Sequence, residues 1–174
     1  KTKEISRSHK IIVSKSNLVS IIGGKWTTFR KMGEDVVDLF YKIKKEKFNK
    51  SSSENIKIHG YLKENIRGHL GVYGSDYEKI CNLLKENPDF KKKLHPNYPF
   101  LEGEVIWSIR HEMAIKLEDI LCRRIGLLFI DAKASIQVSP KVLSLMKKEL
   151  KKNDKWAESE LIKFKKLAEK HYCK

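Results

Sequence analysis

The stretch Ile21-Ile22-Gly23-Gly24-Lys25-Trp26-Thr27-Thr28-Phe29-Arg30 decides the reading of this chain. Upstream, the β-branched runs Ile11 to Val13 and Leu18 to Ile22 flank the polar Ser14-Lys15-Ser16-Asn17, which predicts a hairpin. After Gly23-Gly24 the hydrophobic period changes from two to 3.6. Phe29, Met32, Val36, Phe40 and Ile43 recur at three- and four-residue steps and predict an amphipathic helix from about Thr27 to Lys45. The order is strand, turn, strand, glycine turn, helix. Two glycines let a backbone approach a ligand without a Cβ clash, and Thr27 or Thr28 is placed to cap the helix. The free N–H groups and positive dipole end of a first helical turn favour negative charge, and Lys25 adds a mobile full charge beside them. On spacing alone the same arrangement also serves packing, so the turn is a candidate anion or cofactor terminus and no more.

Composition bounds the rest. Of 174 residues, 37 are Lys or Arg and 22 are Asp or Glu, a net charge of +15. Thirty-one of the basic residues are Lys and six are Arg, spread through most segments. Nucleic-acid readers favour Arg for its planar fork, so the charge is read as a Lys-rich surface and no nucleic-acid partner is expected; a basic nucleic-acid module remains the alternative class. No run of twelve apolar residues occurs, so no membrane span is expected. The chain opens KTKEISRSHK, without an initiator Met or a secretory signal, and is expected to be an excised piece. Cys81, Cys122 and Cys173 are scattered, with no CxxC spacing, and are read as reduced, non-catalytic thiols; no metal site is expected.

Residues 44 to 55, KKEKFNKSSSEN, have little to bury and set the expected domain boundary. The expected division is a first domain over 1–46, a linker over 47–56 and a helical domain over 57–174. In that domain the periodicity predicts helices around Leu62, Ile66 and Leu70, over Asp76 to Glu86 with Ser75 as cap, and over Leu101 to Lys116. Further helices are expected through Ile120 to Arg124, from Asp131, from Pro140 as a first-turn proline, and over Lys155 to His171. Six or seven helices pack as a small bundle, so the fold class is mainly α.

Residues 21–38, IIGGKWTTFRKMGEDVVD, resemble the signature GGKWTTYRxMAED of FAD-dependent glycerol-3-phosphate dehydrogenases. Ser6-Arg7-Ser8-His9-Lys10-Ile11 is similar to the SRxHxI element before it. Leu101-Glu102-Gly103-Glu104-Val105 with Arg110-His111-Glu112-Met113-Ala114 resembles LxAEVxxxxRxExA, and Asp119-Ile120-Leu121-Cys122-Arg123-Arg124 resembles DxLxRR. Asp131-Ala132-Lys133-Ala134 and Pro140-Lys141-Val142 fit its closing helices. The blocks fall in family order over nearly the whole chain. Gly33 stands where the family has Ala, at about 1 kcal/mol of helix propensity, and Phe29 where it has Tyr. The GxGxxG fingerprint that opens the FAD domain is missing from the sequence.

The resemblance implies a C-terminal piece: a hairpin and helix finishing an incomplete FAD-binding domain, then a helical cap. It implies hydride transfer from C2 of sn-glycerol 3-phosphate to FAD, giving dihydroxyacetone phosphate, with electrons passed to quinone. Lys25 and Arg7 are the implied catalytic residues, as phosphate and transition-state ligands. Gly23, Gly24, Lys25, Thr27 and Thr28 are the implied cofactor contacts. The piece alone is expected to be inactive and not to hold FAD. His9 faces the flavin or is a strand-edge histidine; Trp26 packs on the cofactor or anchors the turn in a core. Peripheral membrane contact and a homodimer are compatible with the family, as is placement at the mitochondrial inner membrane in a eukaryote or the cytoplasmic membrane face in a bacterium. No DxDxDG-type calcium loop occurs. A non-catalytic helical interaction module is the remaining alternative.

Overall fold

A computed structural model describes residues 8–171. It divides into two compact units, Lys1–Ile58 and His59–Lys174. Arg7 and Cys173 lie outside the described residues.

In the first unit, β1 (His9–Val13) pairs antiparallel with β2 (Val19–Gly23), with Ile11 opposite Ile21 and Val13 opposite Val19. The turn closes because Asn17 tolerates a left-handed φ of 63° and its N–H donates to the Ser14 carbonyl at 3.0 Å. A short 3₁₀ turn, Trp26–Thr28, leads into α1 (Phe29–Lys44). The expected Thr cap does not form: Thr28 sits at the N-cap without a side-chain capping bond. Its hydroxyl instead bonds the Lys25 backbone, donating to the carbonyl at 2.9 Å and accepting from the N–H at 3.1 Å. Residues 46–55 fold back on α1, where Phe48 stacks on Tyr41 with ring centroids 5.5 Å apart and Arg30 donates to the Ser53 hydroxyl at 3.2 Å. No described residue of this unit is buried.

The second unit is built mainly of helices. α2 (Tyr77–Glu86) packs on α3 (Glu102–His111), while α3, α4 (Leu127–Ile130), α5 (Ala132–Glu149) and α6 (Asp154–Ala168) surround one main core, with α5 packed against α3, α4 and α6. A second, smaller cluster joins Ile80, Leu83, Ile106 and Trp107. The mainly α reading holds; several element boundaries move, each for a physical reason.

Leu62, Ile66 and Leu70 do not form a helix. Residues 61–68 are irregular, and a 3₁₀ segment runs from His69 to Asp76. Gly74 breaks it with φ 52°, ψ −125°, and a Cβ there would lie 1.9 Å from the Gly60 carbonyl, so backbone contact overrides local periodicity. Ser75 does not cap α2, because its hydroxyl accepts the Gly60 N–H at 3.1 Å. α3 stops at His111, five residues short of the expected end; Met113 turns left-handed at φ 58° and the Ala114 N–H closes onto the Ser108 carbonyl at 3.0 Å. Asp119 to Arg124 form a π-helical turn.

Asp131 and Pro140 do not start separate helices. One helix runs through both, with Asp131 accepting from the Ala134 N–H at 2.9 Å as its cap. An interior proline costs about 3 kcal/mol. Val138, Val142, Leu143 and Met146 are all buried around it, each contributing about 1.5–3 kcal/mol, so continuous packing wins.

Met146 is fully buried and Val37 is 51 % exposed. Met146→Ala is expected to lower unfolding stability by about 2–5 kcal/mol, and Val37→Ala by no more than about 0.5 kcal/mol, in urea titrations of the whole chain followed by circular dichroism.

Candidate functional site

The glycine turn between β2 and α1 is built by backbone constraint. Gly23 and Gly24 have φ of 80° and 81°. A Cβ on Gly24 would meet the Met32 sulfur at 2.6 Å and the His9 Cβ at 3.4 Å, and the left-handed φ would strain any other residue, so glycine suits this turn. His9 Nε2 lies 2.9 Å from the Asp35 carboxylate on α1, which pins β1 to the helix. His9 is thus held by this chain's own acid. Asp35 had no assigned role in the sequence, since nothing in its spacing links it to a residue 26 positions earlier.

Lys25, Trp26 and Thr27 on the turn are exposed. Trp26 is 88 % exposed and Phe29 58 %, their rings 5.9 Å apart, so Trp26 anchors no core of the described chain. Lys25 and Thr27 are exposed, and the Lys25 ammonium has no polar partner among the described residues. Gly23, Gly24, Lys25, Thr27 and Thr28 are contiguous on this turn. Thr28 holds the turn closed with its hydroxyl, leaving its neighbours free to face outward.

The charged residues of the helical unit behave in the opposite way. Glu104 is 2 % exposed, and its carboxylate accepts from the Leu101 N–H at 2.7 Å, from Tyr73 Oη at 3.0 Å and from His69 Nε2 at 3.1 Å. Burial, with Glu104 beside it, raises the Tyr73 phenol. Arg110 forks onto Glu149 at 2.5 and 3.2 Å. Asp119 accepts the Ile115 and Lys116 N–H groups at 3.1 and 2.9 Å and pairs with Arg123 at 3.0 Å. Glu112 takes the Trp107 indole N–H at 3.2 Å and faces Arg124 at 3.4 Å. His111 is exposed and lies on the Trp107 ring at 4.1 Å. These motif residues bind one another, as structural salt bridges and caps. The third-residue helix position of Glu104 suits a capping box, but Leu101 at the cap has no hydroxyl, so the sequence alone does not reveal this role.

Among the described residues, no three His, Cys, Asp or Glu side chains form a metal-binding group. Burial pushes the Cys122 thiol up to about 11, so it is a poor nucleophile near neutrality.

The family model describing the C-terminal domain of alpha-glycerophosphate oxidase matches residues 14–157. The chain belongs to this family. It is 32 % identical over 178 residues to a probable mitochondrial glycerol-3-phosphate dehydrogenase of Dictyostelium discoideum, covering 92 % of this chain and 28 % of that protein. It is 30 % identical over 181 residues to the mitochondrial glycerol-3-phosphate dehydrogenase of Bos taurus, covering 92 % and 25 %. A probable glycerol-3-phosphate dehydrogenase of Encephalitozoon cuniculi is 33 % identical over 167 residues, covering 84 % and 26 %. The chain therefore spans about a quarter of the length of the relatives it matches. No solved structure matches it.

The helical unit carries carboxylates held ionised by their donors. The Lys79 ammonium, with His59, holds Asp76 below the usual carboxylate range. Burial pushes Asp119 up, but the Ile115 and Lys116 N–H groups and Arg123 outweigh it and the net shift is downward. The Ala134 N–H and the Tyr98 hydroxyl lower Asp131. Lowered native values mean that the unfolded chain takes up protons first, so this stability is complete above the ordinary carboxylate pKa and is lost as pH falls through the native ones. Thermal midpoints are expected to stay level from about pH 7 to pH 5 and to drop below about pH 4; a midpoint that rises on acidification would contradict these assignments.

Proposed function

We propose that this chain is the C-terminal part of an FAD-dependent glycerol-3-phosphate dehydrogenase, oxidising sn-glycerol 3-phosphate to dihydroxyacetone phosphate and passing the electrons to quinone at a membrane. One observation carries the reading: the GGKWTT turn presents a Lys25 ammonium with no partner among the described residues, beside the exposed rings of Trp26 and Phe29. The names of the relatives support the substrate, and mitochondrial relatives support a mitochondrial placement for a eukaryotic source.

In this reading the chain divides its labour in three. Residues 1–46 complete an FAD-binding domain supplied by other parts of the enzyme, residues 47–56 connect, and residues 57–174 form the cap. The exposed apolar residues Ile12, Ile22, Trp26 and Phe29 support this, because a unit with no buried side chain needs further protein to cover it. The dinucleotide fingerprint is missing from the sequence, so the chain by itself neither holds FAD nor turns over substrate.

The residues present fit a flavin-side role. The left-handed Gly23 and Gly24 leave backbone accessible without Cβ atoms, and Lys25 offers an unengaged ammonium. FAD, when bound, supplies the hydride acceptor. Gly23 and Gly24 allow close backbone approach to it, Thr27 supplies an exposed hydroxyl, and Thr28 keeps the turn closed so that Lys25 projects outward. Lys25 places a positive charge where negative charge develops in the transition state or on the substrate phosphate. Arg7 gives the phosphate a planar fork.

Lys25→Met in the full-length enzyme is expected to lower kcat about 10²–10³-fold, with flavin content per protein, read from absorbance, little changed. Wild-type turnover in that variant would sink the role of Lys25. Loss of flavin together with activity would move it from the transition state to cofactor binding.

A further inference from the structure

In the first unit, one face of α1 and the segment that folds back on it border a groove of about 430 Å³. That volume lies in the roughly 300–1,000 Å³ range of small-molecule sites. Phe29, Gly33 and Val37 follow one another at four-residue steps along α1 and form one wall. Phe48, stacked on Tyr41, forms another. Both residues that depart from the family signature, Phe29 for Tyr and Gly33 for Ala, line this groove. Phe29 takes a hydroxyl out of the wall, and Gly33 leaves space open, since a Cβ there would meet nothing within 4 Å. The groove is therefore roomier and more apolar than the signature residues would make it.

Charge accounting indicates what it accepts. Its lining holds one guanidinium, Arg30, and two carboxylates, Glu34 and Asp38. Arg30 is paired with Glu34, which Lys31 also holds at 3.2 Å. Asp38 is half-buried and has no hydrogen-bond or ion-pair partner among the described residues; Lys42, one turn on, makes no ion pair with it. The unmatched charge of the groove is thus a single negative one, and an ionised carboxylate only accepts hydrogen bonds. Beside it stand aromatic rings, whose faces attract organic cations.

We propose that this groove binds an organic cation with an apolar body, an amine or quaternary ammonium whose charge lies at Asp38 and whose body lies against Phe29, Val37 and Phe48. The inference concerns a groove of the first unit alone and stands whether or not Lys25 serves the flavin site.

The test is a saturation-transfer NMR titration of the full-length protein with benzyltrimethylammonium and, separately, with the neutral benzyl alcohol. The ammonium is expected to bind saturably at millimolar concentration and about tenfold more tightly than the alcohol, because only the ammonium meets the Asp38 charge. Asp38→Asn breaks no hydrogen bond or ion pair among the described residues and is expected to abolish that preference. Gly33→Leu fills the open space and is expected to weaken both probes about tenfold, with the thermal midpoint unchanged or raised because leucine is the better helix former. Absence of saturable benzyltrimethylammonium binding at millimolar concentration would overturn the proposal. So would a preference for the ammonium that survives Asp38→Asn, or undiminished binding in Gly33→Leu.

Discussion

A carboxylate removed from water must be met by donors, and the Glu104 carboxylate is met from three places at once. The Leu101 N–H at the start of α3 and the His69 and Tyr73 side chains of the 3₁₀ segment all converge on it. Burying an ionised group without such partners costs several kcal/mol, so these bonds fix where the irregular segment 69–76 lies on α3. The Gly74–Gly60 backbone contact and the His59–Asp76 pair then draw residues 59 and 60 onto that segment. Much of the second unit's irregular structure thus depends on one buried acid and the glycine that lets the chain approach it.

The first unit has no equivalent. Between Ser8 and Ile58 no residue is buried, and its hairpin and helix are joined by the His9–Asp35 pair, the Gly24–Met32 approach and partly buried apolar contacts. The family motifs divide along the same line. Glu104, Arg110, Glu112 and Asp119 form caps and ion pairs inside the second unit, whereas Lys25, beside Gly23 and Gly24, faces outward. Under the proposed reading the glycine turn is where the chain meets flavin and substrate.

Sequence reading recovered what depends on local pattern. The hairpin, α1, the stop of α2 before Pro88 and α6 follow from alternation, helical period and proline chemistry within a few residues. It failed where a distant partner decided the outcome. Residues 62–70 carry helical spacing, but with Leu62 38 % exposed they have no core to face, and the Gly60–Gly74 contact bends the chain instead. Pro140 reads as a helix start, yet the buried residues on both sides carry one helix through it. Thr28 reads as a cap and instead closes the preceding turn. At the candidate site the residue types and their order were legible; that Lys25 stands unpaired while Glu104, Arg110 and Glu112 do not required coordinates, because pairing depends on residues far away in sequence.

One unit carries its own core and the other, among the described residues, does not. Amide hydrogen exchange of the whole chain, resolved by residue, tests this directly. Protection in α1 and the hairpin is predicted to be at least about a hundredfold weaker than in α3 and α5, because the first opens locally and the second only with global unfolding. Equal protection in the two units would contradict it.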